Sequence, residues 1–188
     1  DAFLAGAIDL GSRAILAALA EAGLTVDDVD AILAVTSTGF AIPSLDAHLA
    51  GRLGLRPDVK RTPIVGLGCA AGAVGISRLH DYVRAWPDQV AVLVTVELCS
   101  LTVQYDDRSP TNLVASGLFG DGAAAVVAVG ASRRNQGPTG PTVKATRSVL
   151  YPDTLRTMGF DIGSTGLKVV LGTEVPTLAE QHLRAGVD

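Results

Sequence analysis

The sequence predicts an α/β layered fold built on a mostly parallel sheet. Strongly apolar runs of strand length occur at 31–35 and 89–97, helical patterns alternate with the strands, and most connections are short. With 188 residues, 48% of them hydrophobic and 18% charged, the chain holds one ordinary domain with a substantial core, or about half of a larger enzyme.

Each element has its own signal. Residues 7–22 are rich in Ala and Leu, place Ile8, Ile15, Leu16 and Leu19 at helical spacing, and close at Gly23. Asp27 and Asp28 mark a turn before the strand at 31–35, whose unbroken apolar character suits burial on both faces. Ser44 is placed to cap a helix through about Leu53, with Leu45, Leu49 and Leu53 on one side. A short strand at 62–65 leads into a glycine-rich turn and a helix ending near Trp86-Pro87, and 89–97 is the third strand. Residues 106–111 read as polar loop, 112–119 as a short helix and 121–129 as another strand. Residues 132–141 form an exposed connector rich in Gly, Pro, Arg and Asn. Residues 143–149 alternate like a half-buried strand, 151–162 read as loop and 167–171 as strand. Val175-Pro176 opens a last helix to about Arg184.

The bulk properties narrow the function classes. A net charge of −4 without a basic stripe argues against phosphate-backbone binding. Two cysteines, Cys69 and Cys99, and no signal-peptide character point to a reducing cytoplasm. No apolar run is expected to reach the roughly 20 residues of a membrane span. Both ends look cut from something longer.

Cys69 is the first distinctive residue. It lies in Val65-Gly66-Leu67-Gly68-Cys69-Ala70-Ala71-Gly72, where an apolar strand turns into a helix. There a thiolate faces unpaired backbone N–H groups and the positive end of the helix dipole. The flanking glycines keep bulk away from the sulfur, which suits a nucleophile forming a thioester. A small cysteine packed between strand and helix is the competing explanation. His48, His80 and His182 are scattered and lack a second ligand at metal-binding spacing. The glycine run lacks the lysine of a phosphate loop, and no GxSxG elbow occurs.

A second distinctive stretch is Leu118-Phe119-Gly120-Asp121-Gly122-Ala123-Ala124-Ala125, a tight turn entering a buried strand. Together with Gly68-Cys69-Ala70-Ala71-Gly72 and Val96-Glu97-Leu98-Cys99-Ser100-Leu101-Thr102, it resembles the chalcone/stilbene synthase family, the type III polyketide synthases of the thiolase superfamily. Thr36-Ser37-Thr38-Gly39-Phe40-Ala41-Ile42-Pro43 and Glu174-Val175-Pro176 also fit, and the wording at 96–102 is closer to bacterial than plant members.

The resemblance implies a thiolase-like layered fold of the α-β-α-β-α type, with 1–188 as one N-terminal domain and the C-terminal half absent. It implies that Cys69 takes a starter acyl group from coenzyme A, extended by decarboxylative condensation with malonyl-CoA and then cyclised. No cofactor or metal is implied, and acyl-CoA and malonyl-CoA are substrates. Phe119 matches an aromatic gatekeeper; Ser37, Cys99 and Thr102 match cavity-lining positions. Val169 stands where plant members carry a second gatekeeper phenylalanine, and Phe160 falls where they have glycine, which argues against a coumaroyl starter. Family members are homodimers, and Ile42 matches the residue placed in the partner's cavity wall. The family's catalytic histidine and asparagine, and its early basic helix that grips coenzyme A phosphates, lie outside this sequence. Two alternatives stay open: an initiating ketoacyl-acyl-carrier-protein synthase and an inactive half-domain that dimerises or scaffolds.

Overall fold

A computed structural model describes residues 2–136 and 140–187. By its contacts the chain divides into two compact units: Asp1–Leu98 with Asp121–Thr146, and Cys99–Gly120 with Arg147–Asp188.

The first unit is built on a four-stranded sheet of β1 (Ala31–Val35), β2 (Lys60–Ile64), β3 (Val90–Glu97) and β4 (Gly122–Val129), ordered β2-β1-β3-β4. β1 runs parallel to both β2 and β3, and β4 is antiparallel to β3. Helices α1 (Ala2–Glu21) and α2 (Leu45–Leu53) cover one face, where Ala7, Ile15, Leu19 and Leu49 pack on Ile32, Ala34, Val92 and Val94. Helix α3 (Ala71–Ala85) covers the other, packing Ala71 and Leu79 on Ala31, Leu33, Val35, Ala91 and Leu93. The period of two along β1 and β3 divides their residues between these cores. All five residues of β1 are buried, as an unbroken apolar run requires when both faces are covered.

α1 starts at Ala2, earlier than its apolar pattern suggests, because Phe3 packs its ring where a Cβ on Gly39 would lie 2.3 Å away. By length and hydropathy α1 does match a membrane span, contrary to expectation. Its inner face, including Phe3, Ala7, Ile15 and Leu19, is nevertheless core of the first unit. Gly23 closes it at φ +67°, with Leu24 N–H bonded to the Leu19 carbonyl. Ser44 occupies the N-cap of α2, but its side chain makes no capping hydrogen bond.

The second unit contains α4 (Pro110–Leu118), the hairpin β5 (Met158–Gly163) and β6 (Gly166–Leu171), and α5 (Val175–Val187). Ser109 caps α4 by accepting from the Asn112 N–H at 3.3 Å. β5 forms where loop was expected, since Ser164-Thr165 makes a two-residue hairpin turn with Gly166 at φ +108°. The strand expected at 143–149 does not form: these residues are exposed, and none of them joins a described ladder. Alternation specifies a face, whereas a strand also needs a neighbour for its N–H and C=O groups. In the expected connector, Ala131–Gln136 forms a 3-10 turn and 137–139 lie outside the described residues.

Candidate functional site

Three parallel strands deliver their C-terminal ends to one edge of the sheet, because Val35 pairs with both Ile64 and Thr95. Ser37 follows β1, Cys69 follows β2 and Glu97 ends β3, so all three emerge at that edge. Asp121-Gly122 enters there too, since Gly122 pairs with Glu97. Such an edge is where open α/β sheets place ligands.

Cys69 lies in a 3-10 turn, Gly68–Ala70, directly before α3, and its side chain is exposed. The sulfur is therefore reachable and not sealed in hydrocarbon. The helical turn differs from expectation in one respect: the Ala71 N–H is already bonded to the Gly68 carbonyl, so one backbone donor is taken. The glycines serve a different need than clearance alone. Gly66 at φ +81° and Gly68 at φ +53° adopt left-handed backbone that other residues resist, and a Cβ at either would meet nothing within 4 Å. α3 sits close against the sheet because Gly75 lies over Leu93, whose Cδ1 would be 2.6 Å from a Cβ there.

Glu97 lies inside the 96–102 motif, which by itself gives it no role. Its Oε1 accepts from the Ser37 N–H and hydroxyl, both at 2.9 Å, and its Oε2 accepts from the Thr38 hydroxyl at 2.7 Å. The Thr38 hydroxyl oxygen in turn accepts from the Leu98 N–H at 2.9 Å. The carboxylate thus locks the loop after β1 to the end of β3. The available signal was a single acid closing an otherwise apolar strand, VAVLVTVE. Further along the same loop, Ile42 is 85% exposed and Phe40 is also exposed.

The remaining predicted residues fall in the second unit. Cys99 and Thr102 bracket one 3-10 turn, and the Thr102 hydroxyl donates to the Cys99 carbonyl at 2.9 Å. Phe119 caps the C-terminus of α4, half-buried, with its N–H on the Ala115 carbonyl. Phe160 and Val169 are direct cross-strand partners, both half-buried. A cleft of about 490 Å³ in this unit is lined by Gln104, Asp107, Thr165 and Lys168, among others, and by none of the eight predicted residues. Asp107 is held down to about 2, first by the Lys168 ammonium 2.7 Å away and then by the Ser109 N–H. Among the described residues, no group of three His, Cys, Asp or Glu side chains is arranged to hold a metal.

Residues 1–133 match the N-terminal domain of chalcone and stilbene synthases. The chain belongs to the chalcone and stilbene synthase family. It is 51% identical over 182 residues to a 1,3,6,8-tetrahydroxynaphthalene synthase of Streptomyces peucetius subsp. caesius, covering 97% of this chain and 48% of that protein. Among solved structures it is similar to the 1,3,6,8-tetrahydroxynaphthalene synthase of Streptomyces coelicolor A3(2), a bacterial type III polyketide synthase. There the TM-score is 0.86 at 37% identity, over 93% of this chain and 49% of that one. PKS-I of the brown alga Ectocarpus siliculosus superposes with TM-score 0.92 at 33% identity, over 100% of this chain and 49% of that one. The chain spans about half the length of the relatives it matches. The thiolase-like α/β architecture expected from the sequence is the one these family members share.

Proposed function

We propose that the whole protein is a type III polyketide synthase and that this chain is its N-terminal half, carrying the nucleophile. The observation that carries the reading is the exposed Cys69 thiol at the C-terminal edge of three parallel strands, directly before a helix, in a chain of this family. The Cys69 thiolate attacks the carbonyl of an acyl-CoA thioester, and the collapsing tetrahedral intermediate expels the coenzyme A thiolate. Malonyl-CoA then loses carbon dioxide, and the resulting enolate carbon attacks the Cys69 thioester carbonyl. The new C–C bond forms as the Cys69 thiolate leaves, and the extended β-ketoacyl chain, now on coenzyme A, is passed back to Cys69 by the same thioester exchange. Repetition lengthens the β-keto chain before it cyclises. The histidine and asparagine that family chemistry uses for these steps belong to the half beyond this sequence.

Phe119, Ser37, Cys99, Thr102, Val169 and Phe160 are the residues we assign to the acyl path. Supporting this, Phe160 and Val169, the two positions that the resemblance marks as departures from plant members, are direct cross-strand partners. The exposed Ile42 supports a homodimer in which this loop meets a second copy. Coenzyme A thioesters are the substrates, no dissociable cofactor takes part, and the enzyme acts in the cytoplasm. The first product to seek is 1,3,6,8-tetrahydroxynaphthalene, named for the relative at 51% identity.

The test is covalent labelling of the full-length protein with radiolabelled acyl-CoA, followed by product analysis with malonyl-CoA. Labelling of wild type and none of Cys69→Ala is expected. Labelling that survives Cys69→Ala overturns the assignment.

A further inference from the structure

The second unit contains a hydrogen-bond clamp that neither the family motifs nor the acyl path explains. The Gln104 carboxamide donates from Nε2 to three backbone carbonyls: Thr102 at 3.1 Å, Leu167 at 3.2 Å and Thr165 at 3.4 Å. Its Oε1 accepts from the Thr165 hydroxyl at 2.6 Å. Only one orientation of the amide satisfies this environment, since flipping it would set oxygen against three carbonyls. Gln104 is itself held, because Asn112 Nδ2 donates to the Gln104 carbonyl at 2.8 Å and to the Asp107 carbonyl at 2.7 Å. Lys168 adds a second tie to the same segment through Asp107.

The clamp therefore joins the turn that ends at Thr102, the start of α4 and the beginning of β6. Leu167 and Val169 share a face of β6, so the carbonyl held by Gln104 lies two residues from the position opposite Phe160. The hairpin has no other sheet neighbour among the described residues, and an isolated two-stranded ribbon is weakly fixed by itself. We infer that Gln104 is a positioning residue: it fixes the β5–β6 hairpin against the Thr102 turn, and through Val169 and Phe160 it tunes which starter acyl group the enzyme accepts. This inference rests on the polyketide synthase reading above.

The test uses the full-length protein with Gln104→Glu, which keeps size but replaces the donors with oxygens facing carbonyls, and Gln104→Arg, which restores donors. In Gln104→Glu the ratio of kcat/KM for a long against a short acyl-CoA starter shifts about tenfold, the scale of a single misplaced pocket contact. In Gln104→Arg the ratio returns toward wild type. Amide hydrogen exchange across 166–171 reports the hairpin directly and rises about tenfold in Gln104→Glu, as loss of one net hydrogen bond implies. An unchanged starter ratio in active Gln104→Glu overturns the inference. If wild type forms no acyl-enzyme, the function reading fails, and unchanged exchange at 166–171 then sinks the clamp independently.

Discussion

Glu97 and Ser37, 60 residues apart, are joined by three hydrogen bonds: both carboxylate oxygens meet the Ser37 N–H, and Oε1 also takes its hydroxyl. Strand β3 and the loop after β1 therefore form one rigid edge beside the Cys69 turn. Removing the acceptor leaves the Ser37 N–H and two hydroxyls to find other partners. Glu97→Ala is expected to destabilise the full-length protein by about 1–3 kcal/mol, and Glu97→Gln by less. Denaturant midpoints for the two variants check this, and equal midpoints for wild type and Glu97→Ala would refute the stabilising role of the Glu97–Ser37 bonds.

Gly68 holds the cysteine turn at φ +53° with open space around it. Gly68→Ala should therefore cost about 1–2 kcal/mol of backbone strain, without any clash. Part of that strain is relieved by moving the turn, so the rate of the Cys69 acylation proposed above should fall as well. Rapid-quench labelling alongside thermal unfolding separates the two effects, and a variant matching wild type in both contradicts the turn geometry.

Gly75 leaves no room for a methyl group, since Leu93 Cδ1 lies 2.6 Å from where a Cβ would sit. Gly75→Ala is expected to destabilise by about 1–3 kcal/mol through overpacking. Trimming the opposing side chain relieves it: the double variant Gly75→Ala/Leu93→Val should lose less than the sum of the two single losses. Additive losses in that cycle would show that the contact is not shared.

Asp107 titrates below the ordinary carboxylate range because Lys168 and Ser109 favour its ionised form. A depressed folded-state value means this contribution to stability is present above the ordinary value of 3.8. It is lost as pH falls from there through about 2. Lys168→Met removes the largest cause, so the Asp107 midpoint should rise toward 3.8 while Ser109 still holds it below. A carboxyl-carbon NMR titration of both proteins reads the midpoint, and no upward movement would contradict the ion pair.

Much of the first unit was legible in the residues. The unbroken run Ala31-Ile32-Leu33-Ala34-Val35 announces burial on both faces, and the cysteine elbow announces its own turn through glycines that tolerate left-handed backbone. What escaped depends on partners distant in sequence. Glu97 acquires its role only once β1 and β3 are neighbours, and Gln104 only once the hairpin folds back over 61 residues to reach it. Strand β5 was hidden because Gly159, Asp161 and Gly163 interrupt its apolar pattern. The stretch 143–149 shows the reverse failure, a convincing pattern with no partner strand among the described residues.

The backbone leaves the first unit after Leu98, comes back at Asp121 to lay β4 beside β3, and departs once more after Thr146. A gene chimera that exchanges the second unit between relatives thus needs two inserts, 99–120 and 147–188, spliced around a retained 121–146. One crossover within 99–120 would set a foreign β4 against the native β3 along the eight pairs of the ladder. Homologous recombination in this family should accordingly tolerate paired breakpoints far better than solitary ones.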